Sequence, residues 1–123
     1  MSAEGGATLL RTTTNCIGQP IVYPSGEAEV TALHIEMAPG ESTVWHHHPV
    51  PLLGYLLRGE LTVYLADGGK RVVRAGEVSL ETVGHVHRGV NEAAEPLAMI
   101  VFVLGRKGEP YALADEGPPS PKA

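Results

Sequence analysis

The chain has 123 residues, enough for one domain that buries its own core without disulfide or metal staples. Glycine (15) and proline (10) are enriched while aromatic residues make up 5%, a composition that disfavours long helices and fits short strands joined by tight turns. A formal net charge of −5 with no Lys/Arg cluster removes the electrostatic footprint expected of a partner for nucleic acid or an anionic membrane surface.

No run approaches the roughly 20 apolar residues of a membrane helix, and the first residues carry no charged-then-apolar leader pattern, so a soluble, cytoplasmic chain is expected. Cys16 stands alone, which rules out an internal disulfide and makes it a small packing residue. Residues 1–123 are expected to form one domain with its core over 20–114, between a loose N-terminal arm starting at 1–6 and a loose Pro-rich tail at 117–122. No repeat of fixed period interrupts it.

The first expected strand, 29–37, alternates Leu33, Ile35 and Met37 against His34 and Glu36, the period of a strand with two unlike faces. Pro39-Gly40 ends it. Residues 45–49 (Trp-His-His-His-Pro) are too short for a helix and are placed on a strand. Runs 52–57 and 60–66 are β-rich and separated by Arg58-Gly59, and Asp67-Gly68-Gly69 forms a hairpin turn into 71–74. Further strands are expected over 78–83, 86–91 and 97–104. With no helical period anywhere in the core, the pattern predicts an all-β sandwich or barrel.

On a strand, residues two apart share a face, so His46 and His48 project together and His47 projects the other way. Two imidazoles aimed at one point make half of a metal site, and His85 or His87 can supply a third. Gly40, five residues, His46, one residue, His48 and then Tyr55 to Glu60 around Gly59 closely resemble the first motif of the cupin superfamily. Gly76, Gly84, His87 and Asn91 at their intervals resemble the second. The two motifs and the strand between them span residues 40–91, a little under half of the chain.

That resemblance implies a small single-domain cupin of the conserved-barrel type, a double-stranded β-helix or jelly-roll β-barrel, with His46, His48 and His87 as metal ligands and Asn91 as a structural residue. Two positions depart from the family pattern. Thr82 stands where proline is common, which bears on turn rigidity. The glutamate that commonly follows the paired histidines is missing, since residues 49–59 contain no carboxylate. A site of three neutral imidazoles leaves the ion its full charge and more open positions. It suits one divalent transition metal (Fe, Zn, Ni, Mn or Cu) better than magnesium or calcium.

His85 and Glu81 are further catalytic candidates. His85, two residues before His87, either faces the same cavity as a ligand, supporting partner or proton carrier, or sits at the solvent rim, the reading preferred here. Glu81, or the His34/Glu36 face, either returns a carboxylate to the pocket or forms the polar side of its strand, again the preferred reading. Trp45 is expected to point away from the metal.

Cupin folds host many activities, so the site must choose among them. The leading expectation is a metal-dependent enzyme acting on a small organic molecule, with oxygenation of a diketone or thiol the first activity to test and isomerase or cyclase chemistry also open. The alternatives are a non-catalytic metal or small-ligand binding module and a scaffold subunit. A homodimer is expected because the outer face of the first strand needs cover.

Overall fold

The computed structural model describes residues 5–118; the stretches expected to be loose, 1–6 and 117–122, fall in large part outside them. Among the described residues nine strands run in chain order: β1 (Ala28–Met37), β2 (His46–His47), β3 (Leu52–Arg58), β4 (Glu60–Leu65), β5 (Lys70–Arg74), β6 (Val78–Leu80), β7 (His87–Val90), β8 (Leu97–Arg106) and β9 (Leu113–Ala114). They form two antiparallel sheets, one ordered β1-β8-β3-β6 and the other β5-β4-β7-β2-β9. No helix occurs among the described residues. This all-β arrangement is the jelly-roll barrel that the two motifs imply.

Strand periodicity sets the inside of the barrel. Leu33, Ile35 and Met37 on β1 point inward as their alternation predicts, while His34 and Glu36 stay exposed and lie 3.9 Å apart. On the neighbouring β8, Leu97, Met99, Val101 and Val103 supply the same face, and Leu52 and Leu56 continue it on β3. Leu61 and Val63 close the core from the opposite sheet. Burying such side chains stabilises the fold by about 1.5–3 kcal/mol each, before conformational entropy is subtracted.

Two backbone devices hold the ends of the barrel. Gly59 turns β3 into β4 at φ +80°, and a Cβ there would come within 2.8 Å of the Leu97 main chain, so glycine is required on both counts. Asn91 is completely buried and donates from Nδ2 to the carbonyls of Met37 (3.0 Å) and Glu95 (2.9 Å), while its Oδ1 accepts from the Ala93 N–H (3.1 Å). One amide thus ties the end of β1 to the turn after β7.

The elements differ from the sequence reading in two places. The expected strand 78–83 stops at Leu80, and 86–91 begins pairing only at His87, because the chain turns through Gly84 (φ +76°) between them. Strand β9 was not expected. Two residues show no alternation, and only their pairing with β2 makes them a strand.

Candidate metal centre

His46 and His87 face each other directly across the β2–β7 pair, and His48 follows just beyond the end of β2. Their ring centroids stand 4.5 to 4.9 Å apart, and one ligand atom from each lies within 4.8 Å of the other two. His47, between the two ligand candidates, points to the other side, where its Nδ1 is 2.6 Å from Asp115 Oδ2. The two-residue period therefore sorts the tripeptide as expected.

The three rings share one hydrogen-bonding arrangement. Nδ1 of His46 meets the Val44 carbonyl at 2.7 Å, that of His48 the Tyr111 carbonyl at 2.8 Å, and that of His87 the His85 carbonyl at 2.9 Å. A carbonyl can only accept, so each Nδ1 carries the proton and donates. Each Nε2 is then left with its lone pair, the tautomer a metal needs. His87 Nε2 is buried with no hydrogen-bond partner, and an unpaired buried acceptor costs about 1–3 kcal/mol. An ion bound by the three Nε2 atoms would supply what that nitrogen lacks, and the donor set fits a divalent transition metal.

Electrostatics keep these donors available. Burial lowers the pKa of all three rings, pushing His48 down to about 4, and the neighbouring imidazoles push the same way. At neutral pH the cluster is uncharged and need not lose protons before binding a cation.

The histidines open onto a cavity of about 230 Å³ between the sheets, below the roughly 300–1,000 Å³ of drug-sized sites. Most of its wall is aliphatic, from Leu33, Ile35, Leu61, Met99 and Val101 among others. No Lys or Arg is among its lining residues.

A family model for the cupin domain matches residues 33–103, more than half of the chain. The chain belongs to the cupin family. This cupin is 33% identical over 105 residues to an oxalate oxidase of wheat, Triticum aestivum, with 76% of the chain aligned; it spans about half (47%) of that relative's length. Among solved structures it is similar to a double-stranded β-helix protein from Klebsiella pneumoniae (TM-score 0.58, 21% identity, 79% of this chain and 82% of the other). It is also similar to the DMSP lyase DddQ from Ruegeria pomeroyi (TM-score 0.59, 22% identity, 79% and 46%). At these identities the structures bear on the fold.

The remaining candidates divide. His85 is exposed and does not line the cavity: the turn at Gly84 breaks the alternation that would have placed it beside His87, and its carbonyl rather than its ring serves the cluster. Glu81, expected on the polar side of a strand, instead lines the cavity with the histidines, whereas Glu36 stays outside, 3.7 Å from Arg58. Burial raises the Glu81 carboxyl above its ordinary pKa, and Arg71 and His46 draw it partly back. Thr82 is buried, its hydroxyl reaching the His85 carbonyl at 3.4 Å, so a side chain braces the turn where proline is common in the family.

Tyr111 and Ala112 were missed by sequence reasoning; they bring the C-terminal segment over the cavity, and only the β9 pairing reveals it. Trp45 faces away from the cavity as expected, with the Arg88 guanidinium 5.2 Å above its ring. The start of the tail is not free: a Cβ at Gly117 would fall 2.1 Å from the Trp45 ring, so the chain is packed on it.

Proposed function

We propose that this cupin is a metalloenzyme in which Nε2 of His46, His48 and His87 hold one divalent transition-metal ion against a small, largely apolar organic substrate. The observation that carries the reading is the set of three rings all locked by main-chain carbonyls into the metal-binding tautomer, with one buried Nε2 lacking any partner. Such an ion supplies Lewis acidity and, if it is redox-active, a place for dioxygen. The protein's part is to fix the rings, exclude water with aliphatic walls and leave room for a small molecule on the open side.

Cavity chemistry narrows the substrate. Oxalate, named for the wheat relative, carries two negative charges, and the lining residues here offer no guanidinium or ammonium for the second. A neutral compound with one metal-binding group and an apolar remainder fits better, so oxygenation of diketones and thiols comes first. Oxygen uptake by protein loaded separately with iron, nickel, copper, manganese and zinc, on panels of diketones, thiols, catechols and oxalate, tests this. Turnover of oxalate alone would overturn the substrate class, and metal binding without turnover on any panel would favour a binding module.

We further propose a cytoplasmic homodimer. The outer face of the four-stranded sheet carries an apolar row, with Ala32, Phe102 and Leu53 in register across three strands and Val30 beside them; Val30 is 64% and Phe102 43% exposed. A second copy would cover it. Phe102→Glu is expected to give a monomer by light scattering where the wild type is a dimer, and a monomeric wild type at high micromolar concentration would refute the assembly.

A further inference from the structure

Glu81 is the carboxylate that faces the cavity, and the family's usual glutamate position does not explain it. β3 and β6 pair with Leu53 opposite Leu80, and the Glu81 N–H continues that ladder to the Leu52 carbonyl at 2.9 Å. Glu81 therefore stands beside Leu52, one strand over within the segment lacking carboxylates, and both residues line the cavity. The placement is braced from behind by the N-terminal arm. The Cys16 N–H donates to the Leu80 carbonyl (3.1 Å), and the Gln19 side-chain amide both accepts from the Val83 N–H and donates to the Val83 carbonyl, each at 3.1 Å.

Two facts separate Glu81 from a ligand and from a structural ion pair. It is not part of the set of donor atoms that converge within 4.8 Å, which comprises His46, His48 and His87. Its carboxylate makes no hydrogen bond or ion pair among the described residues, and the nearby Arg71 spends its guanidinium on Ser79 Oγ at 3.2 Å. A partly buried carboxylate held in place by an arm, aimed into an apolar cavity and left without a donor, is equipped to accept a proton or hydrogen bond from whatever enters.

We propose that Glu81 selects the class of molecule the centre accepts: neutral compounds with an ionisable S–H, O–H or activated C–H, in preference to preformed anions. On binding, that proton passes to a Glu81 carboxylate oxygen, forming the carboxylic acid, and the electron pair left on the substrate's donor atom serves as its metal-binding group. Net charge in the cavity is unchanged by the transfer, whereas a preformed anion brings a second negative charge next to the carboxylate in a poorly solvated space. The selection rests on the metal-centre reading above.

Cobalt(II)-loaded protein at one fixed pH provides the test, with ethanethiol as the neutral acid and azide as the preformed anion, both followed by visible and near-ultraviolet absorption. Thiolate formation shows as a sulfur-to-cobalt charge-transfer band. Glu81→Gln is expected to keep its cobalt, to bind ethanethiol as thiolate at least tenfold more weakly than wild type and to bind azide at least tenfold more tightly, with Glu81→Asp returning towards wild type. Glu81→Met, which leaves an apolar side chain beside Leu52, is expected to show the same opposed shifts and carries the test should the amide variant not fold. Shifts in the same direction for both probes, or none, would overturn the proposal, as would loss of cobalt by Glu81→Gln, which would make Glu81 a ligand. Wild-type protein that fails to retain cobalt would sink the metal centre itself, a different result from a loaded wild type indistinguishable from its variants.

Discussion

The two segments that bring histidines to the cavity are built differently. Residues 46–48 lie on and just beyond strand β2, so the strand period alone decides which rings face in. Residues 81–87 contain a turn, so position relative to His87 says nothing about direction until the turn is known. The first segment follows strand geometry, which repeats every two residues; the second follows one glycine with positive φ, which resets the count.

The largest effect that can break this contrast is loss of a ligand from either segment. His46→Ala, His48→Ala and His87→Ala are each expected to lower bound transition metal at least tenfold, measured by elemental analysis of protein purified without a histidine tag. A two-imidazole site competes poorly with water and buffer. His85→Ala is expected to retain metal, because its carbonyl, not its ring, holds His87. Metal loss in His85→Ala and retention in His87→Ala would reverse the assignment of the second segment.

Acid sharpens the comparison next, in protein stripped of metal by a chelator. The His48 pKa is pushed down to about 4 by burial, against 6.5 for an unperturbed imidazole, so below pH 6.5 the unfolded chain binds the extra proton first. Stability is therefore unaffected above pH 6.5 and falls as pH drops towards about 4, by up to about 3 kcal/mol from this ring alone. Urea denaturation at pH 7 and pH 4.5 is expected to show this decline, and to show much less of it in His48→Gln. An unchanged pH dependence in that variant would mean the ring is not held neutral.

Legibility of the molecule in its sequence follows the same division. β1 was readable because one face is apolar and the other is not, β3, β4 and β8 because they are short β-rich runs bounded by turn residues, and the direction of His46, His47 and His48 came with the period. The cupin resemblance located His87, which no periodicity could have separated from His85. Glu81 was misplaced because its strand ends one residue earlier, at Leu80, and inward direction there depends on pairing with Leu52. Strand β9, with Tyr111 and Ala112 before it, was invisible because its position depends wholly on a partner 60-odd residues away in the chain, and a two-residue pairing has no pattern to read.

A smaller effect comes from restoring a carboxylate to the 49–59 segment. Of Pro51, Leu52 and Leu53, the structure selects Leu52, which lines the cavity; Leu53 sits on the outer face opposite Phe102, and Pro51 packs away from the cavity. Leu52→Glu is expected to tighten divalent-metal retention severalfold against a chelator, at some cost in stability from the buried charge. Pro51→Glu and Leu53→Glu are expected to leave metal retention within about twofold of wild type, whatever they do to stability. Equal effects of all three on the metal would contradict the register of β3.

The smallest expected effect belongs to His47, and its smallness is informative. Its ring meets Asp115 at 2.6 Å on the face away from the cavity, both side chains are about a quarter exposed, and the pair helps fasten β9 to β2. Partly solvated pairs of this kind contribute about 1 kcal/mol or less, so His47→Gln is expected to lower the melting temperature by no more than a few degrees. Metal content should not change, because the ring contributes no atom to the cluster. Yet β9 continues from the segment whose Tyr111 carbonyl holds His48, so loosening it offers a route by which an outward residue can reach the centre. Metal dissociation rates into excess chelator separate the two roles: an unchanged rate in His47→Gln confines it to the outer face, whereas a rate raised tenfold or more would show that the C-terminal segment, rather than β2 alone, sets the geometry of the centre.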